Sequence, residues 1–200
     1  MKYSNFIKIG SKTISEDHPT YFIADIGANH DGNLNRAKDL IRLSAEAGAD
    51  AAKFQHFKAE TIVSDEGFKK LDPKYLSHQS SWKKSVFEVY KDASINLDWD
   101  NELKNTCDEF GIEYLTSPYD LELVDHVDQF VCAYKIGSGD ITWIENIKKI
   151  ASKGKPVILA CGASNYNEIV RAVEAVLHTN SQLSILQCNT NYTGSVNNLD

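Results

Sequence analysis

From residue 20 onward the chain repeats one pattern, a short apolar run followed by apolar positions three and four apart. TYFIADIG (20–27) reads as a strand, and NLNRAKDLIRLSAEAG places Leu34, Ala37, Ile41 and Ala45 on one helical face, with Gly48 as the stop. ADAAKFQ (49–55) is the second strand. From Lys58 to about Ser80 the sequence has turn residues and no clear period, and WKKSVFEVY after it reads as helical. Asp98 is placed to cap a helix carrying Leu103, Cys107 and Phe110, which Gly111 ends before the strand IEYLTSP. Asp120 caps the next helix, with Leu121, Val124 and Val127 facing inward. AYKIGSGD, PVILACG and LSILQCNTNY follow as strands four to six, separated by the helices WIENIKKIASKG and NEIVRAVEAVLH.

Six strands alternating with five connecting helices predict a parallel sheet with right-handed crossovers. Ahead of it, FIKIGSKTIS sets Gly10-Ser11 between two short alternating segments, a two-residue hairpin signal. Two closures fit the alternation, an open doubly wound sheet or a (β/α)8 barrel (a TIM barrel). The turn after the first strand, GANHDGN, has neither GxGxxG nor Walker spacing, which favours the barrel. The barrel then holds about its first six strand-helix units within residues 1–200, as one domain, with the remaining strands expected beyond Asp200. Such a partial barrel would expose strand edges.

Two strands carry a lysine where an apolar residue belongs, Lys53 and Lys135. Burying an unpaired ammonium is expensive, so two cations placed alike call for anions, either Asp25 and Asp140 or a ligand phosphate. In a parallel barrel the strand ends converge on one rim. That rim would gather Asp25, Asn29 and His30; Lys53, Gln55 and Lys58; Thr116 and Ser117; Lys135, Ser138 and Asp140; and Gln187, Asn189, Thr190, Asn191 and Tyr192. The bland readings are ordinary ones: a lysine stem along apolar surface, serines and Asn29-His30 as turn formers, Gly137 and Gly139 as bends. The cluster suits an anionic, phosphate-bearing substrate and carboxylate acid-base work, and by itself chooses no reaction.

A formal charge of -7 offers no basic face for nucleic acid. MKYSNFIKIG lacks the apolar core of a signal peptide and no run is long enough to span a bilayer, so no membrane association and a cytoplasmic location are expected. Cys107, Cys132, Cys161 and Cys188 are spread singly and read as reduced, mostly buried thiols.

Taken together, IADIGANHDGNLNRAKDLIRLSAEAGADAAKFQ, TSPYD, AYKIGSGDI, KGKPVILACG and LQCNTNY resemble the sialic acid synthase (N-acetylneuraminate synthase) family, from about residue 5 to the end. The resemblance implies a barrel enzyme that condenses phosphoenolpyruvate with an open-chain N-acyl amino sugar, such as N-acetylmannosamine, to a nonulosonic acid, releasing phosphate. It implies a divalent metal, Mn2+ or Mg2+, acting as a Lewis acid on the sugar aldehyde. It also implies a C-terminal antifreeze-like domain and a homodimer. On that resemblance Lys53 and Lys135 neutralise phosphoenolpyruvate, Ser117 and Ser138 donate to its phosphate, and Asp25 and Asp140 are the acids. Gln55, Asn191 and Tyr192 contact the sugar, and Thr190 stands where a phosphate-contacting Asn is seen. The family's two metal-binding histidines fall beyond Asp200, so no metal ligand is expected within this chain.

Five positions depart from the family pattern: Asp25 where many relatives have Glu, Ala160-Cys161 for a Ser-Thr pair, Gln187 for His, and Thr190 for Asn. Two rival classes stay open. One is an aldolase of a keto acid that uses Lys53 or Lys135 as a Schiff-base nucleophile; the other is a non-catalytic sugar- or phosphate-binding barrel.

Overall fold

The computed structural model describes residues 3–72 and 82–190. Strands β1 (Ile7–Ile9) and β2 (Lys12–Ile14) form the expected antiparallel hairpin. Its turn needs Gly10, which sits at φ +57°, and a Cβ there would fall 1.6 Å from the Glu113 carboxylate.

The main sheet runs β3 (Ile23–Gly27), β4 (Ala51–His56), β5 (Glu113–Pro118), β6 (Tyr134–Ile136), β7 (Val157–Ala160) and β8 (Leu183–Leu186). Every pairing is parallel and each strand lies beside its sequence neighbour. A doubly wound sheet would reverse its strand order at a switch point, and this one never does. Such single winding is that of a (β/α)8 barrel, of which six strands are present.

Helices cover the outer face: α1 (Leu34–Glu46) after β3, then α2 (Ala59–Ile62), α3 (Asp65–Lys70), α4 (Val86–Ala93) and α5 (Asp100–Glu109) between β4 and β5. The helices α6 (Leu121–Val127), α7 (Ile144–Ser152) and α8 (Tyr166–Leu177) follow the next three strands. Local chemistry sets their ends. Asn33 caps α1 by accepting from the Arg36 N–H at 3.1 Å, and Gly48, at φ +88°, ends it. Reciprocal capping boxes start α4 (Ser85 with Glu88) and α8 (Asn165 with Glu168).

Three stretches of the chain differ from the sequence expectation. Asp98 does not cap α5: Asn96 caps a 3-10 turn over Leu97–Trp99, and α5 begins at Asp100. On α6 the buried residues are Leu123, Val124 and Val127, and Leu121 is only half-buried. The stretch after Lys58, aperiodic in sequence, forms the short helices α2 and α3.

Strand alternation divides the core in two. Ala52, Phe54, Tyr114, Tyr134, Val157 and Leu159 face the helices and bury with Ile41, Leu103 and Ile147. Ala51, Leu115, Ala133 and Ile158 point the other way and meet Ile7 and Ile9 of the hairpin. Each large side chain buried in the outer layer contributes about 1.5–3 kcal/mol. The hairpin closes the lower end of the inner face, so inner residues further along each strand look toward the opposite rim.

Candidate active site

Lys53 and Lys135 share the inner-face parity of Ala51 and Ala133, and both stand above the hairpin-covered layer. Lys53 is 3% exposed. Its ammonium lies 2.8 Å from the Asp25 carboxylate on β3, whose side chain is 63% exposed, and the two residues are Cα partners across the strands. A bulge between Asp25 and Gly27, with Gly27 at φ +59°, then turns β3 toward α1. Burial pulls the Lys53 amine below its ordinary range and Lys135 adds repulsion, while Asp25 opposes both.

Lys135 and Asp25 line a cavity of about 770 Å³ at the C-terminal ends of the strands, together with Gln55, Ser138, Asp140 and Thr190. Burial raises the Asp140 carboxyl to about 6, against the pull of Lys135. Near neutrality this group can therefore both hold and release a proton. Gln55 Nε2 donates to the Tyr119 hydroxyl at 3.4 Å, and Ser138 Oγ accepts from the Gly162 N–H at 3.1 Å. Ser117 Oγ, on the inner face of β5 and 1% exposed, has no hydrogen-bond partner among the described residues. The β7 and β8 loops meet tightly here: a Cβ on Gly162 would lie 2.6 Å from Thr190 and 2.8 Å from the Cys188 carbonyl.

The structure thus brings Asp25, Lys53, Lys135, Asp140, Gln55, Ser138 and Thr190 together, with Ser117 beside them on the inner face. Asn191 and Tyr192 lie outside the described residues. Three rim candidates do not belong to the site. Thr116 has the opposite parity to Ser117 and is buried under the helices. His30 is buried in its turn, where Nδ1 accepts from the Gly32 N–H, and packs edge-on to Trp99 at 5.7 Å. Lys58 is an exposed partner of Glu122 at 2.9 Å. The cysteines are free, as expected, but only Cys107 is fully buried.

An aromatic wall escaped the sequence reading. Phe57 packs against Tyr90 at 5.4 Å and Tyr119 at 6.3 Å between ring centroids, and all three line the cavity. Phe57 and Tyr119 each follow a strand end and could have been flagged by position; Tyr90, on α4, reaches the site only through the fold. Among the described residues no group of three His, Cys, Asp or Glu is arranged to hold a metal ion. None of their helices is long and apolar enough to cross a membrane.

An uncharacterised protein of Methanocaldococcus jannaschii is 34% identical over 93% of the chain and 51% of its own length. The N,N'-diacetyllegionaminic acid synthase of Campylobacter jejuni is 33% identical over 90% of the chain and 54% of its own length. The chain therefore spans about half the length of these curated relatives. Among solved structures, the N-acetylneuraminic acid (sialic acid) synthetase of Leptospira borgpetersenii, in complex with citrate, superposes with a TM-score of 0.84 at 27% identity. That match covers 100% of this chain and 64% of the other. The NeuB family model matches residues 40–200, and the chain belongs to the NeuB family.

Proposed function

We propose that this chain supplies the phosphoenolpyruvate-binding part of a nonulosonic acid synthase, which joins phosphoenolpyruvate to an open-chain N-acyl amino sugar and releases phosphate. The observation that carries the reading is the pair of inner-face lysines beside a cavity, one of them buried and balanced by a single carboxylate. Phosphoenolpyruvate carries a phosphate and a carboxylate, so it is an anion such a pair would neutralise. Relatives named as legionaminic, pseudaminic and N-acetylneuraminate-9-phosphate synthases support the product class.

In this reading Lys53 and Lys135 hold the two anionic groups, and Ser117, whose hydroxyl has no partner among the described residues, donates to the phosphate. The enol carbon attacks the sugar aldehyde, forming the new C–C bond. Water adds to the resulting oxocarbenium-like carbon, and the tetrahedral intermediate collapses with loss of phosphate. Asp25 takes the proton of the attacking water, and Asp140, a carboxyl poised near 6, gives one to the developing alkoxide. Gln55 orients the sugar from the rim, and Thr190 contacts the phosphate. The described residues do not form a ligand set for the divalent ion, so no step here is assigned to it.

The test is phosphate release by the full-length gene product, given phosphoenolpyruvate, Mn2+ or Mg2+, and a panel of N-acyl amino sugars. Release with one sugar, abolished in Lys135→Ala, supports the synthase; no release with any sugar, with phosphoenolpyruvate still bound, favours a binding barrel. One observation favours a second reading. The depressed Lys53 amine is a property of Schiff-base lysines, and borohydride trapping with pyruvate would label Lys53 if the protein were an aldolase.

A further inference from the structure

Behind the strands that carry Gln55 and Ser117 lies a largely buried polar network centred on Asp100, with His126 at its half-exposed edge. His56 Nε2 meets Asp100 Oδ1 at 2.9 Å, the Tyr114 hydroxyl donates to the same oxygen at 2.6 Å, and His126 Nε2 meets Oδ2 at 2.8 Å. On its far side His56 Nδ1 meets Thr116 Oγ1 at 2.7 Å, and Thr116 donates to the Phe54 carbonyl at 3.1 Å. Asp100, His56 and Thr116 are buried to 0%, 0% and 0% exposure.

A layer between sheet and helices is ordinarily apolar, and burying a charged group there costs stability unless every partner is satisfied. Here the partners come from β4, β5, α5 and α6, four elements whose relative heights the network fixes. His56 follows Gln55 and Thr116 precedes Ser117, while Gln55 and Ser117 are Cα partners across β4 and β5. The network therefore grips each strand at the residue next to a site side chain.

We propose that Asp100 is a positioning residue: through His56 and Thr116 it sets the register and height at which Gln55 and Ser117 meet the substrate. The proposal rests on the synthase reading for the identity of that substrate. A misplacement of about 1 Å can cost on the order of 100-fold in rate, so slack in this clamp is legible kinetically.

The experiment is a double-mutant cycle on the full-length protein, read both as kcat/KM and as the Kd for phosphoenolpyruvate by calorimetry. Asp100→Asn, or Thr116→Val if the first variant does not fold, is made in the wild type and in a Gln55→Ala, Ser117→Ala background. The expected result is a loss of about 10- to 100-fold in the wild type and less than about 3-fold in the background lacking the positioned side chains. Equal losses in both backgrounds would reduce Asp100 to a structural residue and overturn the proposal. Phosphoenolpyruvate binding without turnover would sink the synthase reading alone, with the cycle still decided by Kd. No binding by the wild type would sink both.

Discussion

The two faces of one strand make the sharpest contrast in the molecule. On β4, His56 faces the helices and Lys53 and Gln55 face the barrel interior, yet all three are polar residues in a largely buried strand. The outward group has both ring nitrogens within hydrogen-bond distance of partners, and its neighbour Asp100 meets three groups. The inward groups are left wanting. Ser117 has no partner among the described residues, the buried Lys53 has one carboxylate, and Asp140 is pushed up to about 6. Polar groups that satisfy one another hold a fold together, and under-satisfied polar groups beside a cavity are candidates for meeting a ligand.

The contrast can be broken most forcefully from the inside. Lys135→Ala should leave the folded protein intact and lower kcat of the full-length enzyme by about 100- to 1000-fold, the scale for removing one electrostatic stabiliser. A variant that unfolds instead would make Lys135 a structural residue. From the outside, Asp100→Ala leaves His56 and Tyr114 without their shared acceptor, and should cost about 3–5 kcal/mol in denaturant unfolding. A cost near zero would mean the network is decorative.

Asp140 tests the inner face through pH. Its folded-state value, about 6, is above the unfolded 3.8, so the folded protein holds this proton more tightly than the unfolded chain does. Ionising Asp140 therefore costs stability as pH rises from about 4 through 6, and the cost levels off above that. Asp140→Asn cannot ionise, and its stability relative to wild type should improve by about 2 kcal/mol between pH 4 and pH 7. A difference that is flat with pH would refute the perturbed carboxyl.

Gly10→Ala tests the hairpin that closes the lower end. With φ at +57° and Glu113 in the way, it should destabilise by about 1–2 kcal/mol, read as a lowered unfolding midpoint. The smallest effect belongs to Lys58→Ala. Its ion pair with Glu122 is solvent-exposed, so unfolding midpoint and activity should both stay at wild-type values.

The order of strands and helices, the hairpin turn at Gly10 and the two odd lysines were legible in the sequence because each depends on residues close in the chain. Alternation with a period of two and of 3.6 is enough to place Lys53 and Lys135 in strands, and a buried ammonium announces its need for an anion. Asp25 as the partner of Lys53 was one of the options that need left open. The tertiary structure decided which face each strand presents. That choice moved Thr116 from the site to the helix layer, buried His30 in its own turn, and brought Tyr90 and Phe57 together as a wall. It also decided that Asp100, in sequence an unremarked acid at the start of a helix, stands at the centre of a buried network 44 residues away from His56. Local pattern fixes periodicity and propensity, but the partners of a buried polar group come from other strands and helices, and only their packing says which groups are satisfied.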